Sequence, residues 1–434
     1  MILFKRILVL VFGTAAGQII TLLATPVLAR LYLPQDFGYF ATVTALVMIF
    51  SGVASLKYET AIMINDKKTS QAALFLLSII LLFLTSLLFI VIIKICGGTE
   101  LYSKLIPDAI TTTVIVLMYI FLGMINIMNN WHARHKRYYV LSSSKAIMAA
   151  TIVVLQYVLF DVYGGSGLII GSLIGFVVAA IFLSYFIFKY DVREISESLT
   201  LNNLRTAAYN HKRFPQYSVF ATILNSIANQ IPSVLFAQFI SLAYAGYYSM
   251  SWRLTKGPVG LIGQSIFQVV SQHVGHNVNN IKEVQDTTNK VLGVMVHTSA
   301  PFFVLGAFLI EPAILLILGE EWDVAGELSR KMLPWLFCLY LSWSMTGILN
   351  SMGYQKIILF FNMFFVAALV IPFLLTSDID LVVFLIVFLG SLTRLMYIYW
   401  TLRSIQVRSI SVIYPVIIYW VVSMLSSFGA LKVI

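Results

Sequence analysis

The chain has 434 residues, 60% of them hydrophobic, 14% aromatic and only 11% charged, with a formal net charge of +10. Its mean hydropathy is +0.92. A soluble domain has too little interior to hide so much apolar surface, so the composition excludes one.

Runs long enough to cross a hydrocarbon layer of about 30 Å recur along the whole chain. In order they predict spans at 7–29, 38–64, 71–94, 109–129, 141–161 and 167–188. After a polar stretch they resume at 214–240, 242–270, 290–318, 331–353, 357–376 and 380–402, and 410–430 is expected as a thirteenth. The start, Lys5 and Arg6 before an apolar run, imitates a secretory signal. That run continues to Ala29, too long for a cleaved segment, so an uncleaved first helix is expected. Glu311-Pro312 is expected to bend the ninth span.

With a cytoplasmic N-terminus, seventeen Lys and Arg fall on the inner side, from Lys5, Arg6 and Lys67 through to Arg403 and Arg408. The outer side holds Arg30, Lys104, Arg330 and Lys331, with Lys94 at an outer helix end. This positive-inside bias orients the chain and accounts for its basic balance, so nucleic acid is not an expected partner. Cys96 and Cys338 lie at or within spans of different halves, and unpaired thiols are expected.

The polar interval 189–213 divides six spans from six and reads as a cytoplasmic linker with a partly amphipathic helix. The expected organisation is an N-terminal six-helix lobe over 1–188, that linker, a C-terminal six-helix lobe over 214–402 and an extra helix in 403–434. The fold class is an all-α polytopic membrane protein, with about 12 core helices in two lobes. The halves share landmarks. Gly38-Tyr39-Phe40 recurs as Gly246-Tyr247-Tyr248, Pro26 as Pro232, and Asn130 with Lys136 as Asn350 with Lys356. Together these favour an internal duplication about an axis along the membrane normal, with a cargo path between the halves.

Arg253 and Lys256 lie on one face of span 242–270, which holds no acidic residue and continues into Gly257-Pro258-Val259-Gly260. Arg253 is eleven residues into the span, roughly 17 Å at helical rise. A charge at that depth costs several kcal/mol, so such residues usually face a wet cavity. Either the cargo supplies the missing negative charge, or Glu59 or Glu311 does so from another helix. Lys57 and Glu59 stand two apart in a predicted helix and are not expected to neutralise each other. Lys57 either lines a cavity or snorkels. Glu59 is either a protonatable coupling group or an ion-pair partner of Arg253 or Arg394. Arg394 reads equally as cavity lining or as an interfacial anchor.

Other polar residues read more plainly. Gln18, Asn225 and Gln230 are expected to bond between helices. His132 with His135, and His273 with His276, have metal-like spacing but no fitting companions, so surface histidines and no metal site are expected. His297 reads as a helix contact or a proton relay. Gly13, Gly17, Gly171 and Gly175 form small-residue pairs that permit close helix packing. Trp335, Trp343, Trp400 and Trp420 fit an interfacial belt or helix packing. No phosphate-binding loop of the ATP-driven kind and no nucleophile with base and orienting group occur, so neither an enzyme nor a bound cofactor is expected.

Three stretches carry a family resemblance. The opening GTAAGQIITLLATPVLARLYLPQDFGYFATVTALVMIFSGVASLKYETAIMI resembles the N-terminus of bacterial oligosaccharide-lipid flippases. So do HKRFPQYSVFATILNSIANQIPSVLFAQFISLAYAGYYSMSWRLTKGPVGLIGQSIFQVV and LILGEEWDVAGELSRKMLPWLFCLYLSWSMTGILNSMGYQKIILF. The whole looks like a polysaccharide biosynthesis protein of the O-antigen or capsule repeat-unit translocase type. That type belongs to the multidrug/oligosaccharidyl-lipid/polysaccharide exporter superfamily. The resemblance implies an undecaprenyl-pyrophosphate-linked oligosaccharide moved from inner to outer leaflet of a bacterial inner membrane, with H+ or Na+ coupling. It also implies work beside a polysaccharide polymerase and a chain-length regulator. On this reading Arg253, Lys256, Arg394 and Lys57 hold pyrophosphate, while Glu59 and Glu311 serve coupling or counter-charge. A multidrug antiporter of the same architecture and a membrane enzyme of polysaccharide assembly stand as alternatives.

Overall fold

The computed structural model describes residues 2–64, 68–96, 109–407 and 410–429, with side chains described for 16–64, 69–95, 111–260, 262–407 and 413–429. Lys67, Lys104 and Arg408 lie outside the described residues, as do the side chains of Lys5, Arg6, Gly13 and Cys96.

A segment in lipid must satisfy its own backbone, and the described residues do so with helices and no strand. The first half contains α1 (Ile2–Leu31), α2 (Pro34–Ser51), α3 (Tyr58–Ile64), α4 (Lys68–Cys96), α5 (Ala109–Arg134), α6 (Tyr138–Val158) and α7 (Gly167–Tyr190). Two short helices follow, α8 (Val192–Glu197) and α9 (Leu201–Asn210), and a π-turn over Phe214–Ser218 leads into α10 (Val219–Phe239). The rest is α11 (Leu242–His276), α12 (Ile281–Leu318), α13 (Asp323–Ser351), α14 (Gln355–Leu375), α15 (Ile379–Ser404) and α16 (Ile410–Phe428). Among the described residues nine helices are long and apolar enough to cross a membrane, with shorter apolar helices at Ala16–Leu31 and Ile413–Phe428. The chain is an all-α polytopic membrane protein.

One local feature departs from a simple helical run. The predicted span 38–64 breaks after Ser51, and Leu56 and Lys57 turn left-handed at φ 50° and 65° before α3 begins. By contrast α12 runs on through both Pro301 and Pro312.

Residue contacts divide the chain into two compact units, Met1–Gly246 and Tyr247–Ile434. The seventh span, α10, counts with the first because it packs on α2. In this unit α1, α6 and α7 pack in series. Small residues permit it: a Cβ on Gly17 would lie 3.3 Å from Lys145 O, and one on Gly175 only 2.3 Å from Ile152 Cγ1. Tyr32 donates from its hydroxyl to Gln156 O at 2.5 Å, tying the end of α1 to α6.

The repeated Gly-Tyr landmarks meet in the same unit. A Cβ on Gly38 would stand 1.7 Å from Leu242 O, and one on Gly246 would stand 1.8 Å from Pro34 O. Each glycine thus faces the carbonyl four residues before the other. That reciprocity is what a two-fold relation between the repeats produces, and it explains why both positions lack a side chain.

The basic end of α7 is closed by an ion pair. Arg137 donates from both terminal nitrogens to Asp191, each at 2.6 Å, and Trp131 Nε1 donates to the same carboxylate at 2.8 Å. Burial alone would raise the Asp191 pKa, but the bonds from Arg137 and Trp131 outweigh it and hold the carboxyl below its ordinary value. His132 corrects a surface expectation. It is fully buried, with Nε2 3.1 Å from Leu183 O, because α5 extends past it to Arg134 and packs against α7.

In the second unit α13 is the central helix, buried along most of its length and packed against α12, α15 and α16. Serine hydroxyls and small residues hold α11 to it. Ser251 donates to Ala325 O at 2.7 Å, Ser351 donates to Ser271 O at 2.9 Å, and Gly263 lies flat against Trp343.

Candidate functional site

Charged side chains entering an apolar helix bundle need either counter-charge or another partner that tolerates them. The second unit supplies aromatic rings. On α11, Trp252 and Lys256 are one turn apart and share a face. Lys256 Nζ sits 4.4 Å from the centre of the Trp252 ring. Trp252 packs at 5.0 Å on Trp335 of α13, and Trp335 at 5.9 Å on Phe365 of α14. The Arg394 guanidinium of α15 lies 3.8 Å over the Phe365 ring. Four helices thus contribute three rings and two cations to one cluster.

The ring faces attract the cations through their quadrupoles, without adding negative charge to the site. Lys256 and Arg394 are close enough for their like charges to repel. Two buried N–H donors of this cluster, Arg394 Nε and Trp335 Nε1, have no hydrogen-bond acceptor among the described residues. Gly390, one turn before Arg394, lets Trp335 come close, since a Cβ there would stand 3.1 Å from Trp335 Nε1. A group of oxygens bearing negative charge would satisfy both donors. Arg253 lies on α11 one turn before Lys256, and it too is partly buried.

The sequence-predicted residues thus separate by unit. Arg253, Lys256 and Arg394 belong to the second, and the ring cluster joins Lys256 to Arg394. Lys57 and Glu59 belong to the first, where they form an ion pair at 3.1 Å, and Ser55 Oγ donates to the same carboxylate. This corrects the expectation that they do not face each other. Helical spacing does not govern them, because Lys57 is in the left-handed turn and Glu59 starts α3. Glu59 is 2% exposed, a buried carboxylate with its own cation. Glu311 has a partner too, Arg330 Nε at 2.9 Å, so its counter-charge is local.

Two features escaped the sequence reading. The rings of Trp252 and Phe365 are part of the cation site, and only the Trp252–Lys256 spacing signalled it. Lys145, half-buried in α6, is a further cation inside a predicted span that had not been counted. Among the described residues no three His, Cys, Asp or Glu gather as metal ligands do.

Residues 27–327 match the family described as polysaccharide biosynthesis protein. The probable lipid II flippase MurJ of Buchnera aphidicola subsp. Acyrthosiphon pisum (strain APS) is 25% identical over 284 residues, 61% of this chain and 52% of the relative. The chain therefore spans about half the length of that curated relative. A solved lipid II flippase MurJ, in an inward closed conformation, matches with a TM-score of 0.70 at 14% identity, covering 99% of this chain and 97% of its own. An inward-facing multidrug resistance MATE family transporter of the MOP superfamily matches with a TM-score of 0.63, also at 14% identity, over 91% and 94%. At these identities the structural likenesses show a shared fold.

Proposed function

The chain belongs to the polysaccharide biosynthesis protein family, and from that premise we propose that it is a flippase for an anionic lipid-linked oligosaccharide. The cargo is an O-antigen or capsule repeat unit on undecaprenyl pyrophosphate, carried from the inner to the outer leaflet of a bacterial inner membrane. The N-terminus is cytoplasmic on this reading, as the basic loops favour. The relative named a lipid II flippase supports a lipid-linked cargo.

One observation carries the reading: the buried donors of Arg394 and Trp335 stand without acceptors in a cluster that also holds Lys256. Pyrophosphate is rich in acceptor oxygens and negative charge, and an arginine fork suits it. Arg253 and Lys256 engage it with Arg394, and Lys57, paired with Glu59 in the first unit, is a further candidate for phosphate contact. Movement follows alternating access, and cargo binding must differ between the two states to shift them. A proton or sodium gradient couples through Glu59, with Glu311 as the second candidate. A polymerase and a chain-length regulator receive the product on the outer side. A cationic drug would meet Lys256 and Arg394 as like charges, which weighs against the antiporter reading.

The test replaces Arg253 and Lys256 by Gln, singly and together, and measures repeat units reaching the cell surface at matched protein level. Export falls at least tenfold in the double variant if two charge-assisted contacts to phosphate are lost. Full export at normal protein level would contradict the phosphate site.

A further inference from the structure

The first unit carries a second site with the layout of a two-chain lipid. A surface cleft of about 550 Å³ opens at the basic end of α7, lined by Lys189, Tyr190, Arg193, Ser196 and Glu197. Two apolar grooves lead from it. One, of about 340 Å³, passes Phe75 and Ile79 of α4, Met128 of α5 and Ile187 of α7, and reaches Val192 and Ser196 at the polar cleft. The other, of about 320 Å³, runs between α5 and α7 past Phe121, Ala180, Ile181 and Tyr185. Phe188 lines all three spaces.

We propose that this site holds one anionic diacyl glycerophospholipid, with its phosphodiester in the basic cleft and an acyl chain in each groove. The residues from 180 to 188 cover about 12 Å of helix, close to the depth of one leaflet's hydrocarbon. Phe188 is 73% exposed, and acyl chains in the grooves would cover it. A polyprenyl lipid has one tail and would leave a groove unfilled.

The charges select the headgroup. Lys189 Nζ stands 5.8 Å and 5.4 Å from the rings of Tyr185 and Tyr190, which hold it at the interfacial level. Arg193 bonds Glu197 at 2.8 Å through Nε, and both side chains are largely exposed, so its remaining nitrogens are open to a phosphate. Lys189 and Arg193 against Glu197 leave the cleft one positive charge in excess, which matches a headgroup of net charge −1. Arg137 is committed to Asp191 and is not among the residues lining the cleft. The site is at the end of α7 that the charge bias assigns to the cytoplasm, where anionic lipid attracts clustered Lys and Arg.

Native mass spectrometry of the full-length chain, titrated with 1-palmitoyl-2-oleoyl phosphatidylglycerol or the matching phosphatidylcholine, tests this. The wild type is expected to retain phosphatidylglycerol preferentially. The Lys189→Gln/Arg193→Gln variant is expected to bind it about tenfold more weakly, the scale for removing two interfacial cations. Both substitutions are at exposed positions, and an unchanged melting midpoint confirms an intact fold. Equal binding of the two lipids by the wild type, or undiminished phosphatidylglycerol binding by the variant, would overturn the proposal. So would one-for-one displacement by undecaprenyl phosphate, which would make the cleft a cargo site. None of these outcomes bears on the phosphate site of the second unit, which is read separately by export.

Discussion

Lys256 and Arg394 show how a helix bundle keeps cations inside: each lies over an aromatic ring face. A contact of that kind is worth about 0.5–2 kcal/mol. Replacing Trp252 with Leu should therefore weaken binding of a polyprenyl-pyrophosphate probe several-fold, and Trp252→Phe should restore most of it, as a titration in detergent would read. Arg137 and Asp191 make a different use of charge. Removing Arg137 as Ala leaves a buried carboxylate uncompensated, at a cost of about 3–5 kcal/mol, measurable as a lower melting midpoint. Because the folded Asp191 pKa is depressed, its contribution is present above the unfolded value near 3.9 and lost as pH falls through the folded value. The wild-type melting midpoint should thus drop on acidification below about pH 4, and Asp191→Asn should flatten that limb. Residue types at these sites were legible in the sequence, but partners were not. The Lys57–Glu59 pair depends on a left-handed turn that periodicity cannot register, and His132 on a helix running several residues past its apolar run.

The helices themselves were the most legible part, because the bilayer leaves few alternatives to a continuous apolar run. The exception is the second span, where Gly52 caps α2 early and six residues turn before α3. The offset of Gly-Tyr motifs also pointed to something real in the packing. Alanine at a helical glycine ordinarily stabilises by about 0.5–1 kcal/mol. At Gly38 and Gly246 the new methyl would meet backbone carbonyls, which cannot rotate away, so each substitution should destabilise by about 1–3 kcal/mol. Gly257 has open space around its would-be Cβ and serves as the control: Gly257→Ala should be neutral or slightly stabilising in the same unfolding assay. Equal melting curves for Gly38→Ala and Gly257→Ala would argue against the carbonyl contact.

For the whole molecule, fold and family are established, while cargo and drive rest on the site. If Glu59 carries the coupling, proteoliposomes should show transport that responds to an imposed proton or sodium gradient, and Glu59→Gln should remove that response while leaving passive cargo binding. A response that survives in Glu59→Gln and disappears in Glu311→Gln would move the coupling to the pair with Arg330. The most direct measurement of the central claim reconstitutes the chain in liposomes and follows transbilayer movement of an undecaprenyl-pyrophosphate-linked oligosaccharide. The account predicts movement at least tenfold faster than in protein-free liposomes, lost in Arg253→Gln/Lys256→Gln, and slow for the same lipid with a neutral headgroup. Equal movement of the neutral lipid, or full activity of the double variant, would contradict it.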